Sequence, residues 1–146
     1  MTARFGITVF FILATITTIS HAKAIVEENG KQTFLQQITG RSSFDRYTLG
    51  QEVDGARILY SYQYEQSFDS VQPEISLDYD YPSADVPVNN NVIVTQIVLY
   101  VEASDDATTQ AYTTNGGIGQ SSISLQIVAK NSTYLRYMVV VYGRSV

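Results

Sequence analysis

The chain reads as an all-β domain, an antiparallel sandwich or barrel-like fold of about six to seven strands, preceded by an N-terminal signal helix. Three observations predict it. Two tyrosine-rich segments alternate in polarity with a period of two, Val92 to Glu102 is an almost unbroken apolar run, and the remaining Val-, Ile-, Thr- and Tyr-rich stretches are separated by turn-forming residues.

The first 24 residues, MTARFGITVFFILATITTISHAKA, have three parts: Arg4, an uncharged apolar run from Phe5 to Ile19, and small residues at cleavage spacing. That is the grammar of a secretory signal peptide, with cleavage at Ser20-x-Ala22 or at Ala22-x-Ala24. The run is too short, and too diluted by threonine, for the ~20 apolar residues of a spanning helix. Residues 1–24 are therefore expected to be a signal peptide, 25–46 an N-terminal arm and 47–146 the β domain. Within the arm, Phe34, Leu35 and Ile38 lie near helical spacing between Gly30 and Gly40, which allows at most one short helix.

The β pattern then begins. From Arg57 to Glu65, Ile58, Tyr60, Tyr62 and Tyr64 share one phase, and Asp54-Gly55 upstream is a turn signal. From Glu74 to Tyr81, Ile75, Leu77, Tyr79 and Tyr81 face one way and Glu74, Ser76, Asp78 and Asp80 the other. Pro73 and Pro82 mark its ends, because proline cannot continue a ladder in mid-sheet. Val92 to Glu102 is apolar on both phases and reads as a central strand covered on both sides, with Glu102, Asp105 and Asp106 as charged gatekeepers beyond it. A short strand over Thr108 to Thr113 precedes the turn Asn115-Gly116-Gly117-Ile118-Gly119. Ser122 to Lys130 forms the next strand, Asn131-Ser132-Thr133 a turn, and Tyr134 to Tyr142 the closing strand.

Composition narrows the chemistry. There is no cysteine, so stability rests on apolar burial, which a domain of about 120 residues can supply. The one histidine, His21, lies inside the expected signal segment. A mature chain without His or Cys is a poor zinc ligand and has no imidazole-activated nucleophile, so neither an enzyme nor a cofactor or metal site is expected. From Ile25 onward there are seven basic and fourteen acidic residues, and no Lys or Arg falls between Arg57 and Lys130. Nine acids do: Glu65, Asp69, Glu74, Asp78, Asp80, Asp85, Glu102, Asp105 and Asp106. Such a chain repels phosphate, so nucleic acid is not an expected partner, nor is a membrane once the leader is removed. The oligomeric state is left open.

Asp78 and Asp80 project from one strand face, but no calcium-loop pattern surrounds them, and they read as a solvated face. Gly116, Gly117 and Gly119 lead into a strand, with no basic residue nearby, and read as a hairpin turn, not a phosphate loop. Among the tyrosines, Tyr60, Tyr62, Tyr79 and Tyr100 are expected in the core, and Tyr47, Tyr112 and Tyr134 at the surface. Asn131-Ser132-Thr133 is an N-glycosylation acceptor, meaningful for a chain on the secretory route.

In order along the chain come TLGQEV (Thr48 to Val53), GARILY (Gly55 to Tyr60), TQIVLY (Thr95 to Tyr100), AYTTNGGIG (Ala111 to Gly119), SISLQIVAKNS and VVVYGR (Val139 to Arg144). This series resembles an insect family of small proteins named after multiprotein bridging factor 2, a transcription activator. The resemblance implies an all-β fold, no catalytic residues, and structural turn glycines at Gly50, Gly55, Gly116, Gly117, Gly119 and Gly143. By its name the family implies transcriptional co-activation through protein contacts; many relatives also resemble secreted salivary or venom proteins. With the leader taken into account, the expected function is that of a secreted, extracellular, non-enzymatic protein of saliva, venom or haemolymph that binds a protein or small ligand. A transcriptional co-activator is the alternative.

Overall fold

The computed structural model describes residues 33–38 and 44–146. These residues form seven strands and no helix: β1 Thr33–Phe34, β2 Gln36–Ile38, β3 Asp45–Gly50, β4 Arg57–Tyr81, β5 Val92–Ala103, β6 Thr108–Gly116 and β7 Ile123–Ser145. Every pairing is antiparallel, as the alternating patterns predict. Residues 1–24, with Ala22 and Ala24, lie outside the described residues.

The strands form one sheet in the order β1-β6-β7-β5-β3-β2, and β4 pairs along the other side of β7. Strand β7 serves two halves of this sheet. Its first part, Ile123 to Lys130, runs between β6 and Glu74–Tyr81 of β4. Its second part, Leu135 to Arg144, runs between β5 and the first part of β4. Residues paired across neighbouring strands share a face. Leu99, Val139 and Tyr62 therefore lie on one inner surface, and Ala111, Ile127 and Leu77 on another.

Those two inner surfaces meet. Tyr62 and Tyr79 belong to the same strand, and a straight strand would hold them ~55 Å apart. Their ring centroids lie 6.2 Å apart. The sheet is thus folded over on itself, and Ile97, Leu99, Val101, Leu125, Ile127, Leu135, Val139 and Val141 all join one buried cluster. Along one side the halves are joined by β1 and β2. The first pairs with β6 and the second with β3, while the buried Leu35 between them donates its N–H to the Ala111 carbonyl at 2.9 Å. Along the other side, at β4, no strand of the described residues closes the seam.

The fold lies at Asn131–Thr133. Asn131 has φ of 58°, the left-handed conformation that asparagine tolerates better than most residues. Opposite it the β4 register slips between Ser67 and Gln72. Ser132 is fully buried; its hydroxyl donates to the Tyr134 carbonyl at 2.6 Å and accepts the Ser104 N–H at 2.9 Å. Ser104 Oγ in turn accepts the Thr133 N–H at 3.0 Å. The loop after β5 is thereby tied to the bend.

Several sequence expectations are corrected. Asn131-Ser132-Thr133 is a bend inside β7, not a turn, so the two closing strands are one; the extra residues of the register slip, Phe68–Val71, lie opposite on β4. Arg57–Glu65 and Glu74–Tyr81 are likewise one strand, β4, because Pro73 sits on an edge where its missing N–H costs no ladder bond. The short helix expected around Leu35 is β1 and β2, and β3 has no clear period-two signal. Strand β5 lies between β3 and β7 and is buried on both faces, as its apolar run predicts.

Of the expected turn glycines, Gly55, Gly117 and Gly119 lie in loops, and Gly50 and Gly116 end strands. Gly143 lies inside β7, not in a turn: a Cβ there would stand 2.2 Å from the Ile93 carbonyl oxygen. Gly50 meets both demands, with φ of 74° and a Cβ position 2.3 Å from the Thr95 carbonyl oxygen.

Replacing Ser132 by Ala takes the side-chain acceptor from the half-buried Ser104 N–H and is expected to cost ~1–3 kcal/mol in urea unfolding. Asn131→Gly is expected to be nearly neutral, whereas Asn131→Val is expected to cost ~1–3 kcal/mol for a left-handed β-branched residue. Equal stability for Asn131→Val and Asn131→Gly would contradict the bend assigned here.

Candidate functional site

The open seam along β4 is the candidate site. Tyr60, Tyr62 and Tyr64 alternate on the first part of β4 and face inward beside Val141, Val139 and Tyr137. Because β4 is an edge, nothing flanks them on the outer side, and they remain 42%, 39% and 43% exposed. Tyr79, from the second part of β4, and Tyr137, from β7, are only 5% and 3% exposed and form the floor.

The rings make one continuous array. Tyr60 and Tyr62 stack at 6.4 Å, Tyr62 and Tyr79 at 6.2 Å, and Tyr79 meets Tyr137 edge-on at 6.4 Å. Tyr64 leans on Tyr137, and Tyr60 on Tyr81, each at 6.3 Å. Aromatic contacts at this spacing stabilise by ~0.5–1.5 kcal/mol beyond burial, so the array is a preformed surface. The cleft above it has a volume of about 310 Å³ and is also lined by Leu77, Asp78, Asp80, Ser83 and Ala84. A recess of about 220 Å³ between Tyr60, Tyr81 and the loop carrying Val86 and Pro87 adjoins it.

Its chemistry is that of neutral phenols. Burial pushes the Tyr137 hydroxyl up to about 12, with Tyr62, Tyr64 and Asp78 adding to the effect. Burial raises Tyr79 further, reinforced by Tyr60 and Tyr137. The Tyr79 hydroxyl is also buried without a hydrogen-bond partner, an arrangement that destabilises the free protein. Among the described residues no group of three His, Cys, Asp or Glu is placed to hold a metal ion.

The residues singled out from sequence are scattered. Asp78 and Asp80 are exposed at the rim of the cleft, opposite Gln126 and Ser124. The glycine-rich loop spends its backbone groups on protein: the Gly119 N–H reaches the Val94 carbonyl at 2.8 Å and the Gly117 N–H the Ser122 carbonyl at 3.1 Å. Asn131 is exposed at the bend.

The tyrosines require correction. Tyr47 is core, not surface: burial pushes its hydroxyl up to about 12, and it bonds Thr109 Oγ1 at 2.6 Å, which donates to Asp45. Tyr60 and Tyr62 are not core; they line the cleft. Tyr100, Tyr112 and Tyr134 are half-buried. Tyr64 and Tyr137 escape notice in the sequence as site residues, although the matched tyrosine phases of 60–64 and 79–81 are the signal that two such rows meet. On the outer face Arg136 pairs with Glu102 across one strand and approaches Glu65 at 3.8 Å across the other.

Compared with known proteins, residues 49–143 match a family model described as transcription activator MBF2. No curated protein and no solved structure matches the chain. The family match overturns the expectation of a secreted, extracellular protein of saliva, venom or haemolymph. The family's work is transcription, which points to action inside the cell, and nothing supports a salivary or venom type. The expectation of a protein partner agrees with a transcription activator.

Two outcomes follow from the buried phenols. Ionising Tyr47, Tyr79 or Tyr137 is harder in the folded chain than in the unfolded one, so stability is full below the ordinary tyrosine value of 10 and is lost as pH rises toward about 12. Thermal melts at stepped alkaline pH, read beside tyrosinate absorbance, should show ionisation and unfolding together. Tyr79→Phe removes an unsatisfied hydroxyl and is expected to raise stability by ~1 kcal/mol in urea unfolding.

Proposed function

The chain belongs to the transcription activator MBF2 family, and on that premise we propose that it is a transcriptional co-activator that works through protein–protein contacts. In this reading it catalyses no reaction and does not contact nucleic acid itself. The family match carries the proposal, because it runs from the end of β3 into the last turn-free stretch of β7 and so takes in both halves of the folded sheet.

Charge supports the rest. No Lys or Arg falls between Arg57 and Lys130, a span that includes nearly all of β4 and the whole of β5 and β6. Proteins that hold nucleic acid gain most of their non-specific affinity from clustered basic groups on phosphate. A co-activator of this charge is brought to a promoter by a partner that binds DNA. The cleft supplies a contact surface of the right kind, since exposed tyrosines bind with large area at little entropic cost.

Fusion of the full chain to a heterologous DNA-binding domain in cultured insect cells should raise reporter output severalfold over that domain alone. The purified chain should leave duplex DNA unretarded in a gel at ~100 mM salt. A silent fusion that is demonstrably nuclear, or a direct DNA complex, defeats the proposal.

A further inference from the structure

Strand β4 is 25 residues long and among the described residues pairs only with β7, so its outer edge there carries unpaired backbone groups along both halves of the sheet. Folded proteins usually shorten such an edge, cover it, or place lysine and proline on it. Here Pro73 is the single proline, and Arg57, at the start, is the only base. Its exposed charges are otherwise all acidic: Glu65, Asp69, Glu74, Asp78 and Asp80. Glu65 and Glu74 have basic neighbours in Arg136 and Lys130, whereas Asp69, Asp78 and Asp80 form no ion pair among the described residues.

We propose that the edge of β4 at Glu74–Tyr81 takes up a basic, extended segment of a protein partner as an added strand. Alternate side chains of that segment enter the tyrosine cleft, and the others lie beside Asp78 and Asp80. This rests on the reading that the protein works by protein contacts, and it names the partner's chemistry.

Three independent features of the same place carry it. The backbone edge supplies main-chain hydrogen bonds, the mode by which sheet edges recognise extended peptides. The cleft beside it holds the half-exposed side chains of Tyr60, Tyr62 and Tyr64, aromatic groups that attract Lys and Arg as well as apolar groups. The Tyr79 hydroxyl, in a residue 95% buried on the floor of that cleft, has no partner in the free protein, so an entering polar group completes it. Charge also selects the occupant. A second copy of β4 laid on this edge would set acidic residues against acidic residues, which repel across a strand pair. A basic segment reverses that sign.

The test uses the full chain and a fluorescently labelled nine-residue peptide alternating lysine with threonine and valine, beside the same peptide with glutamate for lysine. The basic peptide should bind, the glutamate peptide should not, and the amides of Glu74–Tyr81 should gain protection from hydrogen exchange. The double variant Asp78→Asn, Asp80→Asn should weaken binding about tenfold, as expected for two exposed charge pairs. Tyr79→Phe should weaken binding although it raises stability, an outcome that misfolding cannot imitate. A peptide N-methylated at alternate residues, which keeps its charge but loses its donors, should not bind.

Equal binding of the N-methylated or glutamate peptide overturns strand addition, as does a dimer of the free chain that protects the same amides. The reporter assay separates this inference from the proposed function. Activation by a chain that binds no basic peptide defeats the β4 site and leaves co-activation standing. Peptide binding by a chain that does not activate does the reverse.

Discussion

The bend in β7 is the constraint on which everything else depends. A strand as long as Ile123–Ser145, left straight, would build a flat sheet with its apolar residues open to water on one side. One left-handed residue, Asn131, and one buried hydroxyl, Ser132, turn that strand so that its two parts cover each other. The compensation is local, because the Ser104 and Ser132 hydroxyls take up the Thr133 N–H and the Tyr134 carbonyl beside the bend. From that point the rest follows: a single core between two halves, a join at β1 and β2 on one side, and an open seam at β4 on the other.

Much of this was legible in the residues. Period-two alternation located the sheet, and the double-faced apolar run of Val92 to Glu102 identified the strand that lies deepest. What sequence patterns did not disclose was continuity. Pro73 and Asn131-Ser132-Thr133 look like boundaries, because proline and asparagine usually end strands. Here proline stands on an edge and asparagine sits at a left-handed bend, so each interrupts the pattern without ending the strand. That difference also concealed the site. Two tyrosine rows on separate strands need not meet, whereas two rows on one folded strand must. Tyr47 reads as a surface residue for a related reason: its partner Thr109 is brought to it, beside Asp45, only when β3 and β6 approach across the closed side.

The two long sides of the folded sheet are treated differently. On the β1–β2 side a buried leucine and a backbone bond close the gap. On the β4 side the chain leaves aromatic rings half exposed, a phenol unsatisfied and a backbone edge unpaired, all at one location. The unsatisfied phenol lowers the stability of the isolated protein, and the unpaired edge is not needed to hold the core. Features that weaken a fold and converge on one surface are those that a binding partner can put to use. The acidic rim restricts what can occupy that surface.

The position of β7 in the chain has a consequence for how the molecule comes into being. Strands β4, β5 and β6 each depend on Ile123–Ser145 as a neighbour, with Arg57 pairing as far away as Gly143. During synthesis none of them can complete its hydrogen bonds until those residues have left the ribosome. For that interval β5, apolar on both faces, has β3 along one edge and nothing along the other, and contacts so distant in sequence form slowly. The nascent chain is therefore the most aggregation-prone form of this protein, and chaperones are most needed in the interval before β7 emerges.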